Sequence, residues 1–165
     1  MKKELIERMK LESGCLITAY PDLYKKIISN LIKPFKDKKI TKIMATESKG
    51  YLYGPLIAYK LKIPFIPIFK SGRIPKQFVE TKKFKDYSKK LKSIDIGKMT
   101  VKKGDRILLI DDVFETGKSA KATIKIIEKL KGKIIGISII YNKMNSKEES
   151  FFKKYNLHCL VKMEK

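Results

Sequence analysis

The chain has 165 residues, 43% of them hydrophobic, and carries a formal net charge of +22, so it can bury the core of one domain and attract anions. Two cysteines, Cys15 and Cys159, and a single histidine, His158, are too few for a disulfide framework, a histidine-based metal site or a Ser-His-Asp triad. No apolar run has the length of a transmembrane helix, and the charged helical start is unlike a signal peptide, so we expect a cytoplasmic protein without a membrane partner.

Hydrophobic periodicity divides the chain into alternating helices and strands. Apolar residues at helical spacing predict helices over residues 2–12, 21–32, 56–59, 119–130 and 148–154. Short apolar runs predict an extended segment at 15–19 and strands at 40–45, 63–69, 107–110, 134–141 and 159–161. Pro64 and Pro67 indicate an edge position for the second strand. Because the strands are continuously apolar, we expect one α/β domain with a central, mainly parallel sheet flanked by helices.

Residues 70–103 interrupt this alternation with a polar insertion. Twelve of them are basic, and few are apolar before Ile94. An insertion of this length inside a compact α/β domain is usually a functional flap or a disordered loop. It also carries much of the excess positive charge.

The strongest motif follows the strand at 107–110. Two carboxylates, Asp111 and Asp112, come directly after the strand, and a turn containing Thr116 and Gly117 then opens a helix. Open parallel sheets bind ligands at the carboxyl ends of their strands, and the free N–H groups at a helix start suit a phosphate. The pattern therefore favours a phosphorylated sugar as ligand, and it is not a Walker A loop, which lacks the acid pair.

This segment resembles the phosphoribosyl pyrophosphate (PRPP) motif of the type I phosphoribosyltransferases. The resemblance implies the fold of that family over residues 1–165, with a small N-terminal hood at 1–20 and a mobile catalytic loop at 71–93. It also implies that the acid pair binds the ribose hydroxyls and the turn binds the 5′-phosphate. The implied PRPP-binding residues are Asp111, Asp112, Glu115, Thr116, Gly117, Lys118 and Ser119.

A second segment, 45–55, is similar to the pyrophosphate loop of adenine phosphoribosyltransferases, and residues 70–75 resemble another stretch of that family. The implied pyrophosphate-binding residues are Glu47, Ser48, Lys49, Lys70, Arg73 and Lys89. The resemblance also implies a cis peptide bond near Glu47 and Ser48. In the mobile loop, Asp86 stands at the position of a family Glu and is implied as catalytic, together with Asp111, Asp112 and Glu115.

The implied reaction moves the phosphoribosyl group of PRPP to a purine base and releases pyrophosphate, as in nucleobase salvage. It implies Mg²⁺ as cofactor, held mainly through PRPP, with Asp111 and Asp112 as candidate protein ligands. Relatives of this family are commonly homodimers, so we expect a homodimer here. Part of the excess lysine is then required by an anionic substrate.

The identity of the base stays open between adenine and a 6-oxopurine such as hypoxanthine, guanine or xanthine. Glu115 stands where hypoxanthine-guanine enzymes carry an acid, and Lys143 resembles a lysine of bacterial xanthine enzymes. The candidate base-binding residues are Leu16, Tyr20, Phe114 and Lys143. Orotate is disfavoured because residues 13–20 contain no arginine.

The net charge supports one alternative, a non-catalytic regulator of the same fold that senses PRPP and binds nucleic acid. Only three of the 39 basic residues are arginines, however, and lysine lacks the planar fork with which arginine clamps phosphate and reads bases. Nucleic acid is therefore not an expected partner. The two functions differ in whether the lysines gather on a face away from Asp111 and Asp112.

Overall fold

The computed structural model describes residues 1–12, 15–70, 72–86, 88 and 90–163, and the side chains of 9–12, 15 and 16 lie outside that description. The helices are α1 (Lys2–Glu12), α2 (Pro21–Ile32), α3 (Gly50–Leu61), α4 (Lys118–Lys129) and α5 (Ser146–Ser150). The strands are β1 (Lys42–Thr46), β2 (Phe65–Lys70), β3 (Val79–Lys85), β4 (Leu91–Gly97), β5 (Arg106–Phe114), β6 (Lys133–Asn142) and β7 (Leu157–Lys162). Short 3₁₀ helices lie at Cys15–Ala19, Lys33–Phe35, Lys76–Phe78 and Lys153–Tyr155.

The strands form one sheet in the order β3-β4-β2-β1-β5-β6-β7. Strands β2, β1, β5, β6 and β7 are mutually parallel, whereas β4 pairs antiparallel with β2 and with β3. The predicted α/β domain with a mainly parallel sheet is therefore confirmed. The parallel strands end at a common edge, where Thr46 closes β1 and Phe114 closes β5.

Both faces of the sheet are covered by helices, which explains the continuous apolar strands. Leu108 and Ile110 of β5 point into a core beneath α2 and α3, and Ile107 and Leu109 point into a second core beneath α4. The five apolar residues predicted for α2 are all buried, and they are Leu23, Ile27, Ile28, Leu31 and Ile32. Burial of such side chains contributes about 1.5–3 kcal/mol each as an upper estimate, so α2 is fixed mainly by packing.

Two local predictions were wrong. Residues Cys15–Ala19 form a 3₁₀ helix and not an extended segment, and the buried Ile17 anchors it. Strand β2 is flanked on both sides and is not an edge strand, and in the described part of the chain β4 pairs with its Phe69 and Lys70. Pro67, which has no N–H to donate, lies before that pairing and therefore removes no hydrogen bond from it.

The polar insertion forms a β-hairpin and no long irregular loop. Strands β3 and β4 pair over seven positions, and β4 buries Ile94 and Ile96 against the α4 side of the sheet. The buried carboxylate of Asp95 accepts hydrogen bonds from the Gly72 N–H at 3.0 Å and from the Thr81 hydroxyl at 2.7 Å. Sequence periodicity missed both strands because β3 is mostly polar, with lysines at three of its seven positions. The mobility of residues 71–93 stays a prediction.

The helices of the described ranges are short or polar. None of them combines the length and the apolar character that crossing a lipid bilayer would require.

Candidate active site

A cavity of about 270 Å³ opens at the carboxyl ends of the parallel strands, and we call it the main cavity. All the residues predicted from the PRPP motif line it, namely Asp111, Asp112, Glu115, Thr116, Gly117, Lys118 and Ser119. Six of the other predicted site residues also line it, namely Glu47, Ser48, Lys49, Lys70, Asp86 and Phe114. Four stretches that are separate in sequence thus meet at one edge of the sheet.

Asp111 lies at the buried floor of the main cavity. Its Oδ1 accepts the Asp112 N–H at 2.9 Å, and the Thr46 side chain also hydrogen-bonds it. A side chain at Gly50 would lie 3.3 Å from this oxygen, so the glycine leaves room for the carboxylate. Burial, followed by the neighbouring Asp112 charge, raises the pKa of Asp111 well above its usual range. The site therefore maintains a carboxyl group that favours proton or cation binding.

Asp112 connects the acid pair to the loop after β1. Its Oδ2 lies 3.4 Å from the Lys49 ammonium, and both side chains are partly screened from water. Lys49 belongs to the segment that resembles a pyrophosphate loop. The predicted ribose-binding and pyrophosphate-binding segments are thus joined by one ion pair.

The turn before α4 depends on Gly117. Its φ of +66° lies in the left-handed region, and a Cβ there would come within 2.4 Å of the Phe152 ring and 2.9 Å of the Met144 sulfur. The chain can therefore turn sharply and direct the start of α4 at the main cavity. Unpaired N–H groups at such a start, together with the helix dipole, attract a phosphate.

The loop after β1 adopts strained backbone at Ser48, whose φ is +83°. The cis peptide bond expected near Glu47 and Ser48 is contradicted, because none occurs among the described residues. Glu47 instead braces the loop: one carboxylate oxygen accepts the Lys70 N–H at 2.8 Å, and the other pairs with Arg73 Nε at 2.7 Å. Arg73 therefore lies beside the main cavity without lining it.

Asp86 lies in the turn of the β3–β4 hairpin. Its carboxylate pairs with Lys92 at 2.6 Å and accepts from the Ser88 hydroxyl at 2.7 Å and the Lys90 N–H at 3.1 Å. These contacts, led by Lys92, lower the pKa of Asp86 to about 2. The carboxylate is thus engaged in holding the turn, and predicted Lys89 lies outside the described residues.

The predicted base-binding residues are dispersed. Phe114 is buried with its ring 5.3 Å from that of Phe152, and the Lys143 ammonium pairs with Glu115 at 2.9 Å without lining the main cavity. Tyr20 also lies outside the lining, and the Arg8 guanidinium stacks 3.6 Å over its ring. The side chain of Leu16 lies outside the described part of the chain.

Four lining residues were missed by sequence reasoning, namely Thr46, Phe84, Lys92 and Val113. Thr46 and Val113 directly adjoin predicted site residues at strand ends, so strand registration could have found them. Lys92 and Phe84 carry no sequence signal of their own, because a hairpin was not predicted there.

The fold and the main cavity define an α/β protein with a candidate active site at the carboxyl edge of its parallel sheet. Residues 17–165 match the family model described as the phosphoribosyl transferase domain. The chain belongs to this family.

Curated relatives and solved structures agree with that assignment. Adenine phosphoribosyltransferase of Clostridium botulinum (strain Hall) is 32% identical over 134 residues, which cover 81% of this chain and 77% of the relative. That of Pseudoalteromonas translucida is 37% identical over 116 residues, which cover 70% of this chain and 63% of the relative. The Giardia lamblia APRTase structure with 9-deazaadenine superposes with a TM-score of 0.81 at 26% identity, covering 89% of this chain and 83% of that one.

These findings confirm the predicted type I phosphoribosyltransferase of the purine group, its fold and its glycosyltransferase class. They favour the enzyme over the non-catalytic regulator.

Proposed function

We propose that the protein transfers the 5-phosphoribosyl group of PRPP to adenine and releases pyrophosphate. The observation that carries this proposal is the main cavity, which unites the acid pair, the turn at the start of α4, Lys49 of the loop after β1 and Lys70 at the end of β2. Adenine is favoured among the purines because curated relatives at 32% and 37% identity are named for it, and the Giardia enzyme was solved with an adenine analogue.

The ion pair between Glu115 and Lys143 supports the same choice. A 6-oxopurine would be recognised by a lysine that donates to its carbonyl oxygen, whereas the amino group of adenine is itself a donor. Here the Lys143 ammonium is directed at Glu115, at 2.9 Å. Glu115 and Lys143, the two residues that pointed to a 6-oxopurine, thus bind each other in an ion pair.

Each part of the main cavity has a distinct chemical task in the proposed reaction. Asp111 and Asp112 accept the ribose hydroxyls, and the N–H groups at the start of α4 hold the 5′-phosphate. Lys49 and Lys70 lie where negative charge develops as pyrophosphate leaves, and preorganised donors of this kind are often the largest single catalytic contribution. Positioning of the base and C1 of the ribose supplies much of the remainder.

The acid pair fits a magnesium ion that is bound mainly through the substrate. Mg²⁺ prefers carboxylate oxygens, retains several waters and is commonly shared with phosphates. Asp111 and Asp112 offer two carboxylates, and no group of three or more potential metal ligands occurs in the described ranges, which suits a metal that arrives with PRPP. When bound, Mg²⁺ neutralises pyrophosphate charge.

The proposed assembly is a homodimer, and the proposed location is the cytoplasm. Helix α3 exposes Leu56 and Tyr59, with 41% and 83% of their surface accessible, and their spacing of three residues puts them on one side of the helix. Sedimentation of the protein with and without Tyr59→Glu tests the dimer, since a charge in the contact is expected to give monomers.

A direct assay tests the function. Protein, PRPP and Mg²⁺ are incubated separately with adenine, hypoxanthine, guanine, xanthine and orotate, and nucleotide products are resolved by chromatography. We expect AMP as the main product, and no turnover by the Asp111→Asn/Asp112→Asn variant. Preference for another base would overturn the assignment of adenine as substrate. Absence of every nucleotide product would overturn the proposed transferase activity.

A further inference from the structure

A second cavity lies beside the main cavity, between strand β3 and helix α4, and we call it the lysine groove. Its volume is about 290 Å³, and Phe84 and Ala122 contribute its apolar surface. The remaining lining residues are Lys82, Lys83, Lys85, Lys118, Lys121 and Lys125. None of the described residues that line it carries a carboxylate, so the groove concentrates positive charge.

The lysines converge because of the way the two elements pack. Glu80 of β3 pairs with Lys129 of α4 at 2.6 Å, so the Glu80 side chain faces the helix. Alternation along a strand puts Lys82 on that same face. On the helix, Lys121, Lys125 and Lys129 recur every four residues and therefore share one side. Lys82 of the strand and Lys121 and Lys125 of the helix therefore present their ammonium groups to the same space, whereas Lys83 and Lys85 alternate to the other face of β3 and contribute to the rim of the groove.

The positive charge of the groove is not balanced locally. In the described part of the chain, no carboxylate pairs with Lys82, Lys83, Lys85 or Lys125. Lys121 lies 4.8 Å from the Phe151 ring centroid, a contact that leaves its charge intact. Like charges at this spacing repel one another, and a bound anion would relieve that repulsion and stabilise the folded state.

We propose that the lysine groove is a second anion site, which binds a short oligophosphate independently of the ligand in the main cavity. The screening length is about 8 Å at physiological salt, so ammonium groups that line one cavity can act together on one multiply charged ion. Phosphate chains meet that requirement, whereas a single carboxylate does not.

The ends of the groove favour a short ligand over a nucleic-acid strand. At one end Glu80 and Lys129 form an ion pair with no net charge, so the unbalanced positive surface does not continue past it. At the other end Phe84 and Lys118 line both the groove and the main cavity. The shared chemistry is that of inorganic tripolyphosphate and of the triphosphate of a nucleotide, whose base could contact Phe84.

Titration calorimetry with tripolyphosphate in the absence of Mg²⁺ tests the proposal. The wild-type protein is expected to bind two ions, one in each cavity, and Lys82→Gln/Lys125→Gln should lose the groove site or weaken it at least tenfold. The matched control, Lys36→Gln/Lys60→Gln, removes the same charge from exposed positions elsewhere and should keep both sites. If the groove variant has the same number of sites and the same affinities as the wild type, the proposal is overturned, and this outcome does not depend on whether the main cavity binds the ion.

Further arms identify the source of the phosphates. Equal affinity for ATP and tripolyphosphate indicates recognition of phosphate alone, whereas tighter ATP binding indicates a nucleotide, and both support the proposal. Single-stranded oligouridylate that binds more tightly than either, through Lys82 and Lys125, would overturn a short ligand. Because all four substituted lysines lie outside the main cavity, PRPP turnover should be unchanged, which separates this test from that of the proposed function.

The substituted lysines are exposed, so the variants should fold. Circular dichroism checks this, and the single variant Lys82→Gln, on the hairpin surface, repeats the test with a smaller perturbation and an expected intermediate loss of groove affinity. Groove binding by that variant equal to the wild type, where the double variant is unfolded, would also overturn the proposal.

Discussion

Lys92 Nζ lies 2.6 Å from Asp86 Oδ2 on the wall of the main cavity, and this contact ties the two ends of the hairpin turn together. Asp86 also accepts from Ser88 and from the Lys90 N–H, so its lone pairs are engaged within the turn. With a pKa of about 2, it is ionised and weakly basic at neutral pH. We infer a positioning role for this carboxylate in place of proton transfer.

Asp86→Asn should therefore lower kcat without altering the shape of the pH–rate profile between pH 5 and 9. The lowered pKa means that the contribution of this group to stability is present above about pH 4 and is lost as pH falls towards 2. Limited proteolysis near the turn should accelerate in the variant at neutral pH and in the wild type under acid conditions. If the variant lost one limb of the pH–rate profile, Asp86 would instead be a general acid or base in the reaction.

Lys92→Ala is expected to raise KM for PRPP roughly tenfold or more, because a charge-assisted hydrogen bond contributes about 1.5–3 kcal/mol. Lys92 lines the main cavity, whereas the exposed Lys90, two residues away, does not. Lys90→Ala is thus the matched control and should leave KM nearly unchanged. Steady-state kinetics with varied PRPP measures both, and equal effects would remove Lys92 from substrate binding.

Asp111→Asn should abolish turnover and yet stabilise the fold. Because burial raises the pKa of Asp111, the folded state holds its proton more tightly than the unfolded state does, and stability falls as pH rises above about 4. The amide is isosteric and uncharged, so we expect Tm at pH 7 to rise by roughly a few degrees.

Calorimetry from pH 4 to pH 8 should show that this gain shrinks at low pH. A variant with lower Tm at neutral pH would contradict the electrostatic account of Asp111.

Gly117→Ala is expected to destabilise the protein by about 1–3 kcal/mol or more and to weaken PRPP binding, since a Cβ overlaps the Phe152 ring at a left-handed residue. Gly104 also has a positive φ, +92°, but a Cβ there meets nothing within 4 Å. Gly104→Ala should therefore cost only about 1 kcal/mol, the backbone contribution alone. Urea denaturation compares the two variants, and equal losses would show that the Phe152 contact is unimportant.

Lys143→Ala tests the assignment of the base. If Lys143 serves only as partner of Glu115, kcat/KM for adenine should fall less than about tenfold, in line with a partly exposed ion pair. If it recognises a 6-oxo group, activity with hypoxanthine or guanine should fall by two orders of magnitude or more. An assay in which adenine and hypoxanthine compete gives the ratio of their kcat/KM values directly.

The parts of the fold that periodicity predicted are those whose residues face one environment. Strand β5 is apolar because both of its faces are buried, and α2 carries one apolar stripe because one face is covered. The hairpin was missed for the opposite reason. Its strand β3 is mostly exposed and lysine-rich, and its partner β4 owes its place to Ile94 and Ile96, which are separated by a buried Asp95.

The site shows the same division. The acid pair and the turn could be identified because a strand, two carboxylates and a glycine follow one another within a few residues of sequence. Lys92 enters the main cavity only through strand pairing, and the Glu115 contact of Lys143 joins residues 28 positions apart. Neither relationship has a local pattern that a single sequence could display.

The seam between β2 and β4 has a mechanical consequence. Among the residues that the structure describes, the hairpin that carries Asp86 and Lys92 pairs with the parallel sheet at two positions, Phe69 with Asp95 and Lys70 with Ile94. Pro67 prevents that seam from extending further along β2. Because Lys70 takes part in this pairing, a displacement of the hairpin would also displace the residue that we propose as a contact of the departing pyrophosphate.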